Sequence, residues 1–281
     1  MTMHQRQPEM PDLRVVPVAD LLLHEQHDAQ RSEPLLQRLR ADGVLKNPPI
    51  VAAIDGQQRY VVLDGANRVT AAHSLGIPHI AVQVVDYEDP ELILDTWHHL
   101  IKGLSCAHFQ SVIAGLDGVK IEATDLMQAR AQLARREILA FVQYPQGQVC
   151  SLHAEGNLHQ RTQRLNDIVD LYKVDYRIFR ANTDHLPSLL PFYDDVAALV
   201  VFPRFAPAEI IDLARVGACL PAGITRHLIP RRALRINLPL TLLGAGATLA
   251  EKNTWLAEWV KQKAASKTVR YYQESTFLFD E

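Results

Sequence analysis

Cysteine is scarce in this chain. Cys106, Cys150 and Cys219 are the three among 281 residues; they are odd in number, widely spaced and form no CxxC pair. That speaks against a disulfide framework or a cysteine zinc site and fits a reducing compartment. Long apolar runs are missing too. No stretch stays apolar for the roughly 20 residues a bilayer-spanning helix needs, and the polar opening from Met1 to Asp12 lacks the apolar core of a signal peptide. The expected location is cytoplasmic, with no membrane partner. There is little excess charge of either sign: the formal net charge is −3, which argues against a nucleic-acid-coating role while leaving room for a local basic patch. No GxxxxGK[ST] loop and no protein-kinase motif set occurs. The Gly-rich Leu243 to Thr248 stretch is followed by Leu249, so GxGxxG fails there.

What is present has a globular composition, 48% hydrophobic and 22% charged. Beyond a tail at 1–11, Leu13–Val18 reads as a strand and Val18–Leu23 as a short helical turn. Glu33–Asp42 reads as a helix ended by Gly43. Pro48–Ala53 and Arg59–Leu63 predict a hairpin across Asp55-Gly56, Ala66–Leu75 a helix stopped by Gly76, and Ile80–Val85 a strand. The 12–87 segment is therefore a compact mixed α/β module, closed by the acidic junction Asp86-Tyr87-Glu88-Asp89-Pro90. The remainder, 88–281, reads as a second mixed α/β domain. Helices are expected at Leu92–Ile101, Asp125–Arg136, Gln160–Leu171, Pro207–Val216 and Leu249–Ala264. A hairpin is expected from Ile138–Tyr144 and Val149–His153, with further strands at Tyr176–Arg180, Val196–Phe202 and Val269–Phe279. Trp255 and Trp259, at i,i+4, read as core packing.

Four segments could carry chemistry. In Asp64-Gly65-Ala66-Asn67-Arg68 a strand runs through a Gly turn directly into a helix, which aims unpaired N–H groups and the positive end of the helix dipole at one point, suited to phosphate. Arg68 could add a fork of donors and Asp64 could hold Mg²⁺. An ordinary turn, with Asp64 as N-cap and Arg68 in a surface pair, explains the spacing equally well. His24-Glu25-Gln26-His27-Asp28 misses HExxH because Asp stands at 28, so a metalloprotease is disfavoured. Glu25, a lone carboxylate after Leu21-Leu22-Leu23, is placed either as a general base or as a solvated loop residue. Thr225-Arg226-His227, after Gly223 and before Arg231, Arg232 and Arg235, offers hydroxyl, guanidinium and imidazole to an anion. Trp97-His98-His99 falls on an expected helix, where adjacent histidines point about 100° apart and cannot chelate one metal.

With these segments in view, the chain resembles the free serine kinases of the ParB/sulfiredoxin superfamily, which include archaeal ADP-dependent members and an ATP-dependent siderophore-associated branch. The resemblance is carried by His24-Glu25, Gly43 to Pro49, Val62 to Arg68, Trp97-His98, Gly223 to His227 and the terminal Tyr271 to Glu281 stretch. It implies a ParB/sulfiredoxin-like N-terminal module at 12–87 that binds nucleotide, packed on a second mixed α/β domain at 88–281 that completes the serine site. It implies a kinase that moves a phosphoryl group from ATP or ADP to the hydroxyl of free L-serine with Mg²⁺. Glu25 would be the base, and Asp64, Gly65, Ala66, Asn67, Arg68 and Lys46 would hold the nucleotide, with Asp64 on the metal. Trp97, His98, Thr225, Arg226 and His227 would line the serine pocket. Archaeal members carry His where this chain has Asn67, and the Asn form resembles the ATP-using branch.

The rival expectation is a ParB-like DNA-binding or nucleotide-sensing regulator. No helix-turn-helix pattern follows the module, and the net charge is negative. Sulfiredoxin-type chemistry would need a cysteine in the first module, and none lies there.

Overall fold

The computed structural model describes residues 10–26, 29–54, 58–103, 105–244 and 246–272. It divides into two compact units, neither of them contiguous: Met1–Leu21, Ala29–Asp89 and Ile229–Glu281 make the first, Leu22–Asp28 and Pro90–Leu228 the second. The expected junction near residue 87 lies beside the change at Asp89/Pro90. Residues 229–281, however, which the sequence groups with the second domain, are part of the first unit.

The first unit begins with β1 (Asp12–Pro17), a 3-10 turn at Val18–Asp20 and the start of β2 (Leu21–Leu23). It continues through α1 (Ala29–Asp42), β3 (Val44–Leu45), β4 (Ile50–Ala53), β5 (Tyr60–Asp64), α2 (Ala66–Ser74) and β6 (His79–Val85). Its sheet runs β1-β6-β4-β5, with the edge strand that starts at Leu21 next to β5. β4 and β5 are antiparallel, as the hairpin reading expects, although the expected turn at Asp55-Gly56 lies outside the described residues. Gly43 ends α1 as the pattern requires: at φ +63 it donates its N–H to the Leu39 carbonyl at 3.0 Å.

In the second unit the chain runs through β7 (Ile93–Thr96), β8 (His98–Lys102), α3 (Cys106–Ala114), β9 (Lys120–Thr124) and α4 (Leu126–Ala134). It goes on through β10 (Ala140–Gln143), β11 (Val149–His153), α5 (Leu158–Lys173), β12 (Arg177–Ala181), α6 (Leu186–Leu189), β13 (Val196–Val201), α7 (Pro207–Arg215) and β14 (Thr225–Leu228). Six strands form an antiparallel sheet in the order β12-β8-β13-β10-β11-β9. The helix expected at Leu92–Ile101 is instead β7 and β8. β8 lies between β12 and β13 and buries Leu100 and Ile101, on opposite faces, completely. A strand covered on both sides shows no polar alternation and so imitates a buried helix in sequence. One face packs Leu100, Phe141, Leu199 and Val201 with Ala129 of α4 and Leu186 of α6. On the other, Phe109 of α3 meets Tyr172 of α5 at 5.7 Å between rings. The three cysteines are free.

The chain then returns to the first unit with β15 (Leu238–Pro239), paired to β3, followed by α8 (Leu240–Leu243) and α9 (Leu249–Ala265). Thr248 and Glu251 form a capping box that starts α9. Asn253 accepts from the Val15 N–H (2.9 Å) and donates to its carbonyl (2.8 Å), covering the exposed edge of β1. Trp255 and Trp259 do stack, at 6.3 Å, but Trp255 stays 39% exposed, so the pair lies on the surface rather than in the core. Val269 to Tyr272 has no regular structure, and the rest of the expected terminal strand is outside the described residues. Among the described residues no helix is long and apolar enough to cross a membrane.

Candidate active site

In the first unit, β5 delivers Asp64 to a turn at Gly65 (φ +95, ψ 25), and α2 opens at Ala66 with no side-chain cap on its first N–H groups. Gly65 is required twice over. Its φ is left-handed, and a Cβ there would lie 3.0 Å from both Nε of Arg68 and Cα of Pro49. The Arg68 guanidinium is folded across the turn. Its Nη1 donates to the carbonyls of Asn47 (3.1 Å) and Pro48 (3.4 Å), and its Nη2 to Oδ2 of Asp64 (3.3 Å). Arg232, brought by the returning segment, bonds the same Asp64 oxygen. Burial alone would raise the Asp64 carboxyl, but Arg68, Arg232 and the Gly65 backbone outweigh it and hold the group below the usual carboxylate range. Asp64 is thus an ionised, doubly paired carboxylate and not the N-cap of α2. Asn67 is the second residue of α2, and Lys46 sits just before Asn47, paired with Asp42 at 3.0 Å.

In the second unit the segment around Glu25 runs parallel beside Leu220, with bonds from Leu220 N–H to the His24 carbonyl (2.7 Å) and from Gln26 N–H to the Leu220 carbonyl (2.8 Å). This register points the Glu25 carboxylate at the start of β14. Oε2 accepts the Gly223 N–H (2.8 Å), and Oε1 accepts both the Thr225 N–H (2.6 Å) and the Thr225 hydroxyl (2.5 Å). A carboxylate offers about four acceptor positions, so three donors orient it and one position remains. The Thr225 proton is spent on Glu25, so the 2.9 Å contact between Thr225 Oγ1 and His24 must be a donation from His24 Nε2–H. His24 in turn meets His227 edge-on at 5.4 Å. Arg226 lies 4.4 Å over the Trp97 ring and 3.6 Å from Asp95. Trp97, between β7 and β8, donates its backbone N–H to the Ile224 carbonyl (2.8 Å).

His98 and His99 stand on a strand and therefore face opposite ways, which corrects their expected helical placement. His98 Nδ1 accepts the Phe202 N–H at 3.3 Å, which leaves its proton on Nε2. Burial pushes His98 down from the ordinary imidazole value of 6.5 to about 4, partly countered by Asp184 and Asp95. The unfolded chain binds this proton between pH 6.5 and about 4 while the native chain does not. His98 therefore contributes stability above pH 6.5 that is lost as pH falls through about 4. Denaturant melts across that window should show the loss, and His98→Gln should flatten it.

The sequence marks His99 only within Trp97-His98-His99, and the fold places it behind Gly223. Its Nδ1 meets the buried Tyr172 hydroxyl at 2.9 Å, and its ring bonds the Gly223 backbone. Burial, with Arg180 and His98 nearby, lowers it to about 3, so it is a neutral ring packed behind Gly223. Gly223 is left-handed (φ +78), and a Cβ there would fall 2.1 Å from Nη2 of Arg180. We expect Gly223→Ala to cost about 1–2 kcal/mol of stability from its backbone alone. It should also lower kcat about 10²-fold by shifting the Glu25 donors. Thermal melts and steady-state kinetics check the two effects separately.

Among the described residues no group of three or more His, Cys, Asp or Glu side chains could hold a metal. Among the described residues, Asp64 is the one carboxylate of the Gly65 turn. That suffices for Mg²⁺ only where substrate phosphates and water complete its shell, which is how this ion is usually held.

No family model matches the sequence. The chain is 25% identical over 272 residues to the ATP-dependent L-serine kinase SbnI of Staphylococcus aureus, covering 96% of this chain and 97% of that one. It is 25% identical over 237 residues to an ATP-dependent L-serine kinase of Staphylothermus marinus, covering 82% and 90%. Among solved structures, a free serine kinase in complex with AMP shares the fold, with a TM-score of 0.71 over 86% of this chain and 98% of that one at 16% identity. The resemblance seen in the motifs thus extends over most of the chain.

Proposed function

We propose that this protein is a nucleotide-dependent kinase of free L-serine. The observation that carries the reading is the Glu25 carboxylate, held by three donors from Gly223 and Thr225 in a chain similar over 96% of its length to an L-serine kinase. The serine hydroxyl gives its proton to Glu25 as its oxygen forms a bond to the terminal phosphorus. The bridging P–O bond then breaks, and ADP leaves from ATP, or AMP from ADP. Phosphoryl transfer asks chiefly for positioning and charge neutralisation. The α2 N-terminus with Arg68 supplies these for the phosphates, and Lys46 and Asn67 flank that turn. Trp97, His98, Thr225, Arg226 and His227 supply polar and aromatic groups for the amino acid. The neutral His98 offers its Nε2–H, and Arg226 offers a cation to the serine carboxylate. Mg²⁺, held by Asp64 together with phosphate oxygens and water, would offset the charge of the polyphosphate.

An acceptor panel tests this. Serine, threonine and homoserine are each offered with ATP and with ADP, and product is followed by phosphorus NMR. Serine should be phosphorylated well ahead of the other two. Nucleotide hydrolysis that ignores the acceptor would sink the reading.

A further inference from the structure

The segment from Ile229 to Asn237 follows the serine-side strand β14 in sequence but belongs to the first unit. Three of its residues, Arg231 (φ 52), Arg235 (φ 53) and Asn237 (φ 47), take left-handed backbone without being glycine. Such residues persist only where the surroundings hold them, and here the holding groups are explicit. Gln83 of β6, buried, donates from Nε2 to the Arg231 carbonyl (3.0 Å) and accepts the Ala233 N–H on Oε1 (2.8 Å). Asn47, also buried, accepts the Arg235 N–H on Oδ1 (2.8 Å), and the Lys46 carbonyl accepts the Asn237 N–H (3.3 Å). Arg231 is anchored to Asp89 at 2.7 Å. Burying amides is costly unless they are satisfied, and these two satisfy one loop. The loop is therefore set in one conformation, and that conformation presents Arg232 to Asp64 Oδ2, where Arg68 also bonds. Two guanidiniums, one local and one from 168 residues away, converge at the opening of α2.

We propose that Arg232 is a phosphate-binding residue of the nucleotide site, acting with Arg68 on the polyphosphate of ATP or ADP. This rests on the kinase reading above and adds to it a residue outside the turn motif. A polyphosphate carries more charge than a carboxylate and offers several oxygens to a planar fork, so it competes well for a guanidinium paired with one Asp oxygen. Arg232 is suited to exchange: its side chain is 37% exposed, whereas that of Arg68 is 14% exposed and bound to two carbonyls. As Arg232 turns to phosphate, an Asp64 oxygen is released for the metal. The simpler alternative is a clamp that only orients Asp64.

Calorimetric titration of the full chain with ATP and with ADP separates the two. Loss of a charge-assisted bond to phosphate should weaken binding about 10- to 100-fold in Arg232→Ala. Arg232→Lys should recover only part of this, since it keeps the charge and loses the fork. The same loss should persist when Arg232→Ala is made in an Asp64→Asn background, because a direct ligand does not act through Asp64. Wild-type affinity in a folded Arg232→Ala or Arg232→Gln chain, or a loss that vanishes in the Asp64→Asn background, overturns the assignment of Arg232 alone. A wild-type chain that binds neither nucleotide overturns the nucleotide reading and this inference with it.

Discussion

Glu25→Gln should fold and bind serine but lose about 10²- to 10⁴-fold in kcat, the range associated with removal of a positioned general base. The substitution nearly preserves shape, and the amide oxygen can still accept from Thr225. The amide nitrogen, however, would face the Gly223 N–H now bonded to Oε2 at 2.8 Å. Two donors then meet, which costs about 1–3 kcal/mol if the site is not rearranged. A melting curve beside the kinetics separates that penalty from the lost base. Glu25→Asp should also be poor, because the shorter carboxylate cannot keep its bonds to Gly223 and Thr225 together. A Glu25→Gln chain with kcat within a few-fold of wild type would remove Glu25 from the chemistry.

The second large effect belongs to the other half of the reaction. Arg68→Ala removes a guanidinium that spans Asn47, Pro48 and Asp64. It should lower kcat/KM for nucleotide about 10²- to 10³-fold, as expected for a donor aimed at developing charge. KM for serine should change little, since every proposed serine contact lies in the second unit. Arg68→Lys should not rescue, because an ammonium cannot bridge two carbonyls and a carboxylate in the guanidinium's plane. Saturation curves in each substrate read the split. Equal loss in both KM values would argue for a global defect, and an unchanged nucleotide KM would move the phosphates elsewhere.

The turn at Gly65 is the most legible part of the candidate site. A strand, a glycine and a helix start lie within five residues, and local chemistry decides them: Gly65 is left-handed and close to Arg68, as such a turn demands. The role of Glu25 is not legible from spacing. Its partners are 198 and 200 residues away, and no periodicity links residue 25 to residue 223, so its role entered through family resemblance. The basic run after Gly223 was visible as an anion cluster, but its unity was misleading. The chain crosses from one unit to the other after Leu228, so Thr225 bonds Glu25, Arg226 lies over Trp97 and His227 meets His24, while Arg232 bonds Asp64.

The misread elements have common physical causes. Leu92–Ile101 holds enough apolar residues to suggest a helix because β8 is buried on both faces in mid-sheet. Helix α3 is faint in the sequence because Cys, His, Phe, Val and Ile are indifferent helix formers, and its plainest signal is one Ser105 cap accepting the His108 N–H. His99 is marked in the sequence only as half of an adjacent histidine pair. Its value lies in a neutral, buried ring between Tyr172 and the Gly223 peptide, a relation that only the folded sheet creates.

The most direct test of the central claim is phosphorus NMR of the purified wild-type chain with Mg²⁺, L-serine and either ATP or ADP. The kinase reading predicts a phosphomonoester resonance matching O-phospho-L-serine, growing in step with loss of the donor's terminal phosphate and nearly absent with Glu25→Gln. No phosphoserine with either nucleotide, from a folded chain, would contradict it.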